Sequence, residues 1–416
     1  MAERLKNLLL AFLLLVMAVL LVLTFMLGIQ GSHGGRRLLQ SLEENDEFVS
    51  SGAAYMVAYP EKMTFFGENG LFLAQSTEQY GLMYQQAEPL WQEALGSAGV
   101  LQPLAEQDYL ALLQPPAVLL QYHAAQPLYL LRAWGGSHNL QKDVEVTGLA
   151  LTTEAEQVIL LATDRNGGRW RGETAASFAD LESLCSDLPQ SNSLFAGEHA
   201  VLPGDEVLTR QVSEFAVMDC TAPESARRGE LSEAIQSLFG MNPYLTKVYP
   251  NADGSLVYVE SHSTISLSPE GDFAYSGEGI PLEITAAGEM DRQAEICMQV
   301  YELLSRLWEQ AGASGRLSLE QLQFEGTHGT LCFDLHFNGR YVERTGGYWA
   351  TVTVEDGVIT GVSAALRQMD ETGSTPLLPL YQAAATIRQG TGSLRVRLLE
   401  QQDGTLQPQV CFVTEE

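Results

Sequence analysis

The chain has 416 residues, and its 52 Asp and Glu against 23 Lys and Arg give a formal net charge of -29 at pH 7. That excess excludes nucleic acid as a natural partner, because a polyphosphate is held by clustered Lys and Arg, and it reads as a solvated acidic surface. The five cysteines, Cys185, Cys220, Cys297, Cys332 and Cys411, are too few and odd in number for a dense disulfide framework; they read as small buried hydrophobes with no bridge expected.

From Leu8 to Leu27 run 20 residues without a charge, Thr24 being the one polar side chain among them. A helix over that run, rising about 1.5 Å per residue, spans about 30 Å, the thickness of a bilayer's hydrocarbon core. The following LGIQGSHGG holds no Ala-x-Ala cleavage site and no Cys follows the run, so the segment reads as a retained signal anchor rather than an export signal that is removed. Arg4 and Lys6 before it are balanced by Arg36 and Arg37 after it. The short tail ahead of a long chain favours the N-terminus inside and everything after Gly31 outside. Ala11 and Ala18, seven residues apart, are the candidates for close contact with another membrane helix, although no GxxxG accompanies them and plain lipid contact is the alternative. Residues 1–30 are thus the cytoplasmic tip and anchor, and 31–50, glycine-rich, then basic, then acidic, a juxtamembrane linker.

Residues 51–200 open with the strand-like SGAAYMVAYP. STEQ from Ser76 has a capping-box arrangement, and Leu82, Met83, Leu90, Trp91 and Leu95 continue the apolar side of a helix that Pro89 is expected to kink or divide. LAEQDYLALL predicts a short helix stopped by Pro115 and Pro116, AVLLQY a strand, Val144 to Thr174 three strands with a turn at DRNGG, and SFADLESLC a helix. In 201–288, the helix ELSEAIQSLFG precedes YLTKVYP, SLVYVES, STISLS and DFAYSG, joined at NADGS and SPEGD. In 289–416, EMDRQAEICMQVYELLSRLWEQ carries Met290, Ala294, Cys297, Val300, Tyr301, Leu304, Leu307 and Trp308 at helical spacing. The strands LQFEG, TLCFDLHF, GYWATVTVE and GVITGVSAAL come next, then the helix PLYQAAATIRQ and a hairpin of SLRVRLLEQ with LQPQVCFV. Tight turns are expected at Asp253-Gly254, Asn338-Gly339, Asp356-Gly357 and Asp403-Gly404. A helix covering a small antiparallel meander recurs about three times, which predicts an α+β fold rather than a doubly wound sheet.

No GxSxG, Ser-x-x-Lys, HExxH, P-loop or GxGxxG is found, so no enzyme and no cofactor are expected. In LCFDLHFNG, Cys332, Asp334 and His336 share one strand face and could each bind zinc, but no second ligand pair sits at diagnostic spacing; a half-buried strand with a polar outer face is the preferred reading. His123, His138 and His199 are scattered with no partner in view, and NADGS lacks the further acidic ligands of a calcium loop. Trp308 and its neighbours read as core. No catalytic, cofactor or metal residue is therefore assigned.

Several stretches resemble a known family. The start ERLKNLLL running into one span, LLQPPAVLLQYHAAQPLYLL, and above all GSLVYVESHSTISLSPEGDFAYSG resemble the YycH group of bacterial membrane-anchored regulators. HFNGRYVERTGGYWATVTVEDGVITGV and PLYQAAATIRQ are similar to the related YycI and PepSY-like modules. The resemblance implies a single-span protein with exported α+β domains that regulates the sensor histidine kinase controlling cell-wall metabolism in Gram-positive bacteria, acting at the membrane beside a sister single-span regulator. It carries no catalytic residues and leaves oligomerisation open. The alternative it allows is a PepSY-like inhibitor or chaperone of an exported protease or cell-wall enzyme.

Overall fold

The computed structural model describes residues 57–414, apart from 75–76, 139, 141–142, 187, 198–201, 338–339, 345, 388–391 and 402–404. The expected anchor and linker, Ala11 and Ala18, Ser76, His199 and the turns at Asn338-Gly339 and Asp403-Gly404 lie outside the described residues. No helix among the described residues is long and apolar enough to cross a membrane.

Alternating apolar runs pair into two large sheets. The first is built from β1 (Lys62–Gly67), β2 (Gly70–Leu73), α1 (Thr77–Ser97), β3 (Gln102–Leu104), α2 (Glu106–Leu112), β4 (Ala117–Pro127), α3 (Leu128–Trp134), β5 (Glu145–Glu154), β6 (Gln157–Asp164), β7 (Arg169–Glu173), α4 (Phe178–Ser186), β8 (Ser193–Phe195) and β9 (Val207–Thr209). Its nine strands lie in the order β3-β7-β6-β5-β4-β1-β2-β8-β9. The DRNGG turn closes as expected: Asp164 Oδ1 accepts from the backbone N–H of Asn166 and of Gly168, each at 2.8 Å, and Oδ2 accepts from Trp170 Nε1 at 2.8 Å.

The second sheet follows with β10 (Ser213–Thr221), α5 (Glu224–Arg227), α6 (Glu233–Leu238), β11 (Lys247–Pro250), β12 (Leu256–Glu260), β13 (Ser263–Leu267), β14 (Asp272–Pro281), α7 (Glu289–Ala311), β15 (Arg316–Glu325), β16 (His328–Phe337), β17 (Arg340–Glu343), β18 (Ala350–Glu355), β19 (Val358–Ala365), β20 (Gln368–Leu377), α8 (Leu380–Ala384), β21 (Gly392–Glu400) and β22 (Thr405–Thr414). The order is β11-β12-β13-β14-β19-β18-β16-β17-β21-β22-β10-β20, with β15 added on β16. β17 and β21 pair in parallel. β14 pairs with β19 and β10 with β20, so the stretches 201–288 and 289–416 share one sheet. Asp356 and Gly357, at φ 50° and 77°, supply the two positive-φ positions of the turn between β18 and β19.

α7 carries the predicted apolar stripe: Ala294, Cys297, Val300, Tyr301, Leu304, Leu307 and Trp308 are buried. Ile296 and Leu303 are buried as well. α7 also meets α3, where Tyr129 donates its hydroxyl proton to Gln293 Oε1 at 2.7 Å. α7 ends at Gly312, left-handed at φ 68°, as a helix C-terminus favours.

Two expectations need correction, and one helix was not expected. Of the two effects expected at Pro89, division does not occur, since α1 runs unbroken; Gln85, whose carbonyl loses its N–H partner, and Pro89 itself are both exposed, so water can take the bond. α3 was not foreseen because LYLLRAW is buried almost all round and shows no helical period. The polar face of β16 is not an outer face: Cys332, Asp334 and His336 are all buried, at 4–6 % exposure. Close approach also dictates sequence where the segment after α3 crosses α1. A Cβ at Gly96 would lie 2.1 Å from the Gly135 carbonyl oxygen, so that crossing requires glycine.

Candidate functional site

The polar face of β16 is buried because another polar face covers it. β4 brings Gln121 and His123, two positions apart and so on one side of the strand. β21, in the sequence SLRVRLLE, puts Arg395 and Arg397 on one side of an otherwise apolar strand. Where these strands approach β1, β15, β16 and β17, an ionic joint forms between the two sheets.

Lys62 pairs with Glu206. Arg395 bridges that same Glu206, at 3.0 Å, and Glu61, at 3.1 Å. Arg397 reaches Glu343 at 3.1 Å and places Nη2 3.0 Å from His123 Nδ1. The imidazole continues the chain: its Nε2 is 3.2 Å from Glu320, and its ring stacks on Tyr341 with centroids 3.7 Å apart. Tyr341 in turn donates its hydroxyl proton to Asp334 Oδ2 at 2.7 Å. Glu206 is presented by a turn whose neighbour Asp205 receives both ends of the Arg169 guanidinium, each at 2.9 Å. Such fork geometry fixes direction as well as charge.

Burial this deep is tolerable because the charges are paired. Burial alone would raise the Glu61 carboxyl, but His123, Arg395 and Arg397 outweigh it and hold the pKa at about 2. Burial likewise raises Glu206, and Lys62 and Arg395 overcome it, so its pKa is lowered. Lys62 is pulled down to about 8 by burial and by Arg395, against the attraction of Glu206, and remains charged at neutral pH. For His123, burial pulls down, but the carboxylates of Glu320, 3.2 Å away, and Glu61, 3.8 Å away, carry the pKa up to about 9. Arg397 can donate to Nδ1 only when that nitrogen is bare; in the imidazolium the 3.0 Å approach is one between like charges, held together by Glu61, Glu320 and Glu343. Burial lifts Asp334 to about 6 and keeps His336 neutral by lowering it to about 4.

His123, Glu320 and Asp334 offer donor atoms within 4.8 Å of one another. This set shares Asp334 with the sequence-based trio, but Cys332 and His336 are not in it. A cation there would have to displace the imidazolium and sit beside Arg397, so the geometry favours an ion-paired joint over a metal centre. It assembles no nucleophile either: all five cysteines are free, and burial pushes the thiols of Cys185 and Cys297 up to about 12. His123, expected to stand alone, is thus a hub, while His138 is exposed. Glu61, Lys62, Glu206, Arg395 and Arg397 carried no motif. The one sequence signal was the pair of arginines on one face of an apolar strand, which demands buried counter-ions.

No family model matches the sequence, and no curated protein does. Among solved structures, the crystal structure of YycH from Bacillus subtilis is similar with a TM-score of 0.53, over 86% of this chain and 93% of that chain, at 9% sequence identity. At that identity the path of the backbone is shared and the side chains are not. The likeness does not extend to YycI or PepSY modules, which rest on the sequence motifs alone. The chain has a mixed α+β, YycH-like fold.

Proposed function

We propose that this protein is a membrane-anchored, exported, non-catalytic regulator that modulates a sensor histidine kinase of a two-component system controlling cell-wall metabolism. One observation carries the reading: the YycH-like fold extends over nearly the whole of both chains. The apolar run from Leu8 to Leu27 supports it by supplying a tether with the N-terminus inside the cell and the two-sheet body outside. The ionic joint suits such a body, since it ties the sheets together without assembling a reacting group. Regulation then works by contact of the membrane helix and the outer body with the kinase. The bias it imposes cannot exceed the difference between its binding free energies for the two kinase states.

Cross-linking the full chain in its native membrane, followed by purification in mild detergent, tests the reading. Recovery of a sensor histidine kinase is expected. Recovery of an exported protease or wall hydrolase in its place favours a PepSY-like inhibitor, and finding the chain free in the medium without its first thirty or so residues removes the tether.

A further inference from the structure

The second sheet ends at β11, where apolar side chains stand in solvent. Tyr244 is 86% exposed, Leu245 65%, Tyr249 51% and Val248 49%. Four such residues in so short a run form a cluster, unlike the scattered single exposures that need no explanation. The backbone holds them there. Asn242 accepts at Oδ1 from the Tyr244 N–H at 3.0 Å, and at its carbonyl from the N–H groups of Leu245 and Thr246 at 3.0 Å and 3.1 Å. Its own N–H donates to Glu260, so the turn is tied to β12.

The cluster also stands apart in charge. From Ala234 to Ala252 no Asp or Glu occurs and Lys247 is the one charge, in a chain where 52 of 416 residues are acidic. The carboxylate that touches the turn, Glu260, and the one between β11 and β12, Asp253, are both engaged: Glu260 with Asn242, Asp253 with the N–H and hydroxyl of Ser255.

Shape and size limit what can cover this ridge. The edge resists another strand, because β11 has only four residues, carries Lys247 and ends at Pro250, which has no N–H to offer. Val248 lies opposite buried Tyr258, and Tyr249 opposite Val257, so the apolar side chains occupy both faces of the strand. A flat protein surface reaches one face; a fluid surrounds both. Four side chains also fall far short of the roughly 20–30 residues a side of a stable protein interface. A tethered contact needs much less affinity. Residues 28–56 join the body to the apolar run and span at most about 100 Å when fully extended, which keeps a bilayer within reach.

We propose that this ridge dips into the surface of the bilayer in which the chain is anchored, with Leu245 and Val248 among the acyl chains and Tyr244, Tyr249 and Lys247 at headgroup level. The contact rests on the anchored reading above and adds an orientation to it: the β11 end of the second sheet faces the membrane, and the acidic surface elsewhere is kept from lipid phosphate.

The test uses the full chain in vesicles of phosphatidylcholine and phosphatidylglycerol whose acyl chains are plain or brominated, bromine being a contact quencher of tryptophan. Tyr244→Trp supplies the reporter. The native Trp91, Trp134, Trp308 and Trp349 are buried at 1–4% exposure, and their emission, with that of half-buried Trp170, is subtracted with the wild type. The added emission should fall in brominated vesicles. Leu245→Asp with Val248→Asp should restore it at unchanged Tm, since both positions are exposed. Tyr381→Trp should keep its emission: that residue is also exposed, on α8, which packs beside β21, eight strands along the sheet from β11. Flotation after an alkaline carbonate wash reads the anchor separately. Chain stripped from the vesicles removes the anchor and this contact together. Anchored chain whose Tyr244→Trp is unquenched, stays quenched after both aspartates, or is quenched no more than Tyr381→Trp overturns the contact and leaves the anchor standing. A blue-shifted but unquenched reporter would put a second copy of the chain on the ridge instead.

Discussion

Replacing Arg395 by Met keeps most of the buried volume and removes the cation shared by two carboxylates. Glu61 and Glu206, 2% and 1% exposed, lose contacts of 3.1 Å and 3.0 Å. Breaking a buried pair from one side destabilises by roughly 3–5 kcal/mol, because the remaining charge stays desolvated. Glu206 keeps Lys62, and Glu61 keeps the more distant His123 and Arg397, which places the expected loss near the lower end, about 3 kcal/mol. The acid limb gives an independent check. The Glu61 pKa falls from 4.5 to about 2 on folding. Its contribution is therefore present above pH 4.5 and lost as pH falls toward 2; at about 1.4 kcal/mol per unit it amounts to about 3 kcal/mol. Urea unfolding of the full chain in detergent at pH 7 and in steps down to pH 3 reads both effects, with an unchanged m-value showing that the unfolded reference is intact. In Arg395→Met the midpoint at pH 7 should drop and the acid dependence flatten. A loss below about 1 kcal/mol, the range of exposed pairs, would show that the joint is solvated and refute the reasoning.

His123→Gln tests the other end of the joint. The folded pKa of about 9 exceeds the ordinary 6.5, so the stabilisation is complete below pH 6.5 and fades as pH rises through 9. Lys62, lowered to about 8, acts in the opposite sense above that pH, so the wild-type decline is read between 6.5 and 8; a variant with the same slope as wild type would contradict the assignment. Gly96→Ala should lower stability by about 1–3 kcal/mol despite alanine's better helix propensity, through the collision with Gly135, and a raised Tm would show that the crossing is looser than described. Ala11→Ile with Ala18→Ile should weaken regulation of the kinase while leaving membrane insertion intact; unchanged kinase output would make those alanines lipid-facing.

What sequence reading could reach was local. The stripe of α7, the strands β11 to β14 and the β21–β22 hairpin were legible because each writes its period or its turn into consecutive residues. α3 was hidden by burial on nearly every side, and β20, exposed along its middle at the sheet edge, shows no alternation. β16 misled in a specific way: polar alternation reports that one face is polar, not that water covers it. The joint was beyond reach for a related reason. Glu61 and Arg395 stand far apart along the chain, and a charge in a strand looks the same in one sequence whether solvent or an opposite charge awaits it. Only the Arg395 and Arg397 pair hinted at the second case.

The central claim is that a tethered, non-catalytic body sets the state of a sensor kinase. Its most direct test is autophosphorylation of the cross-linked kinase in proteoliposomes, alone, with the full chain, and with a chain whose 8–27 segment is replaced by an unrelated apolar span. The full chain should change the rate in a saturable manner and the replacement should diminish that change. Identical rates in all three preparations would contradict the account.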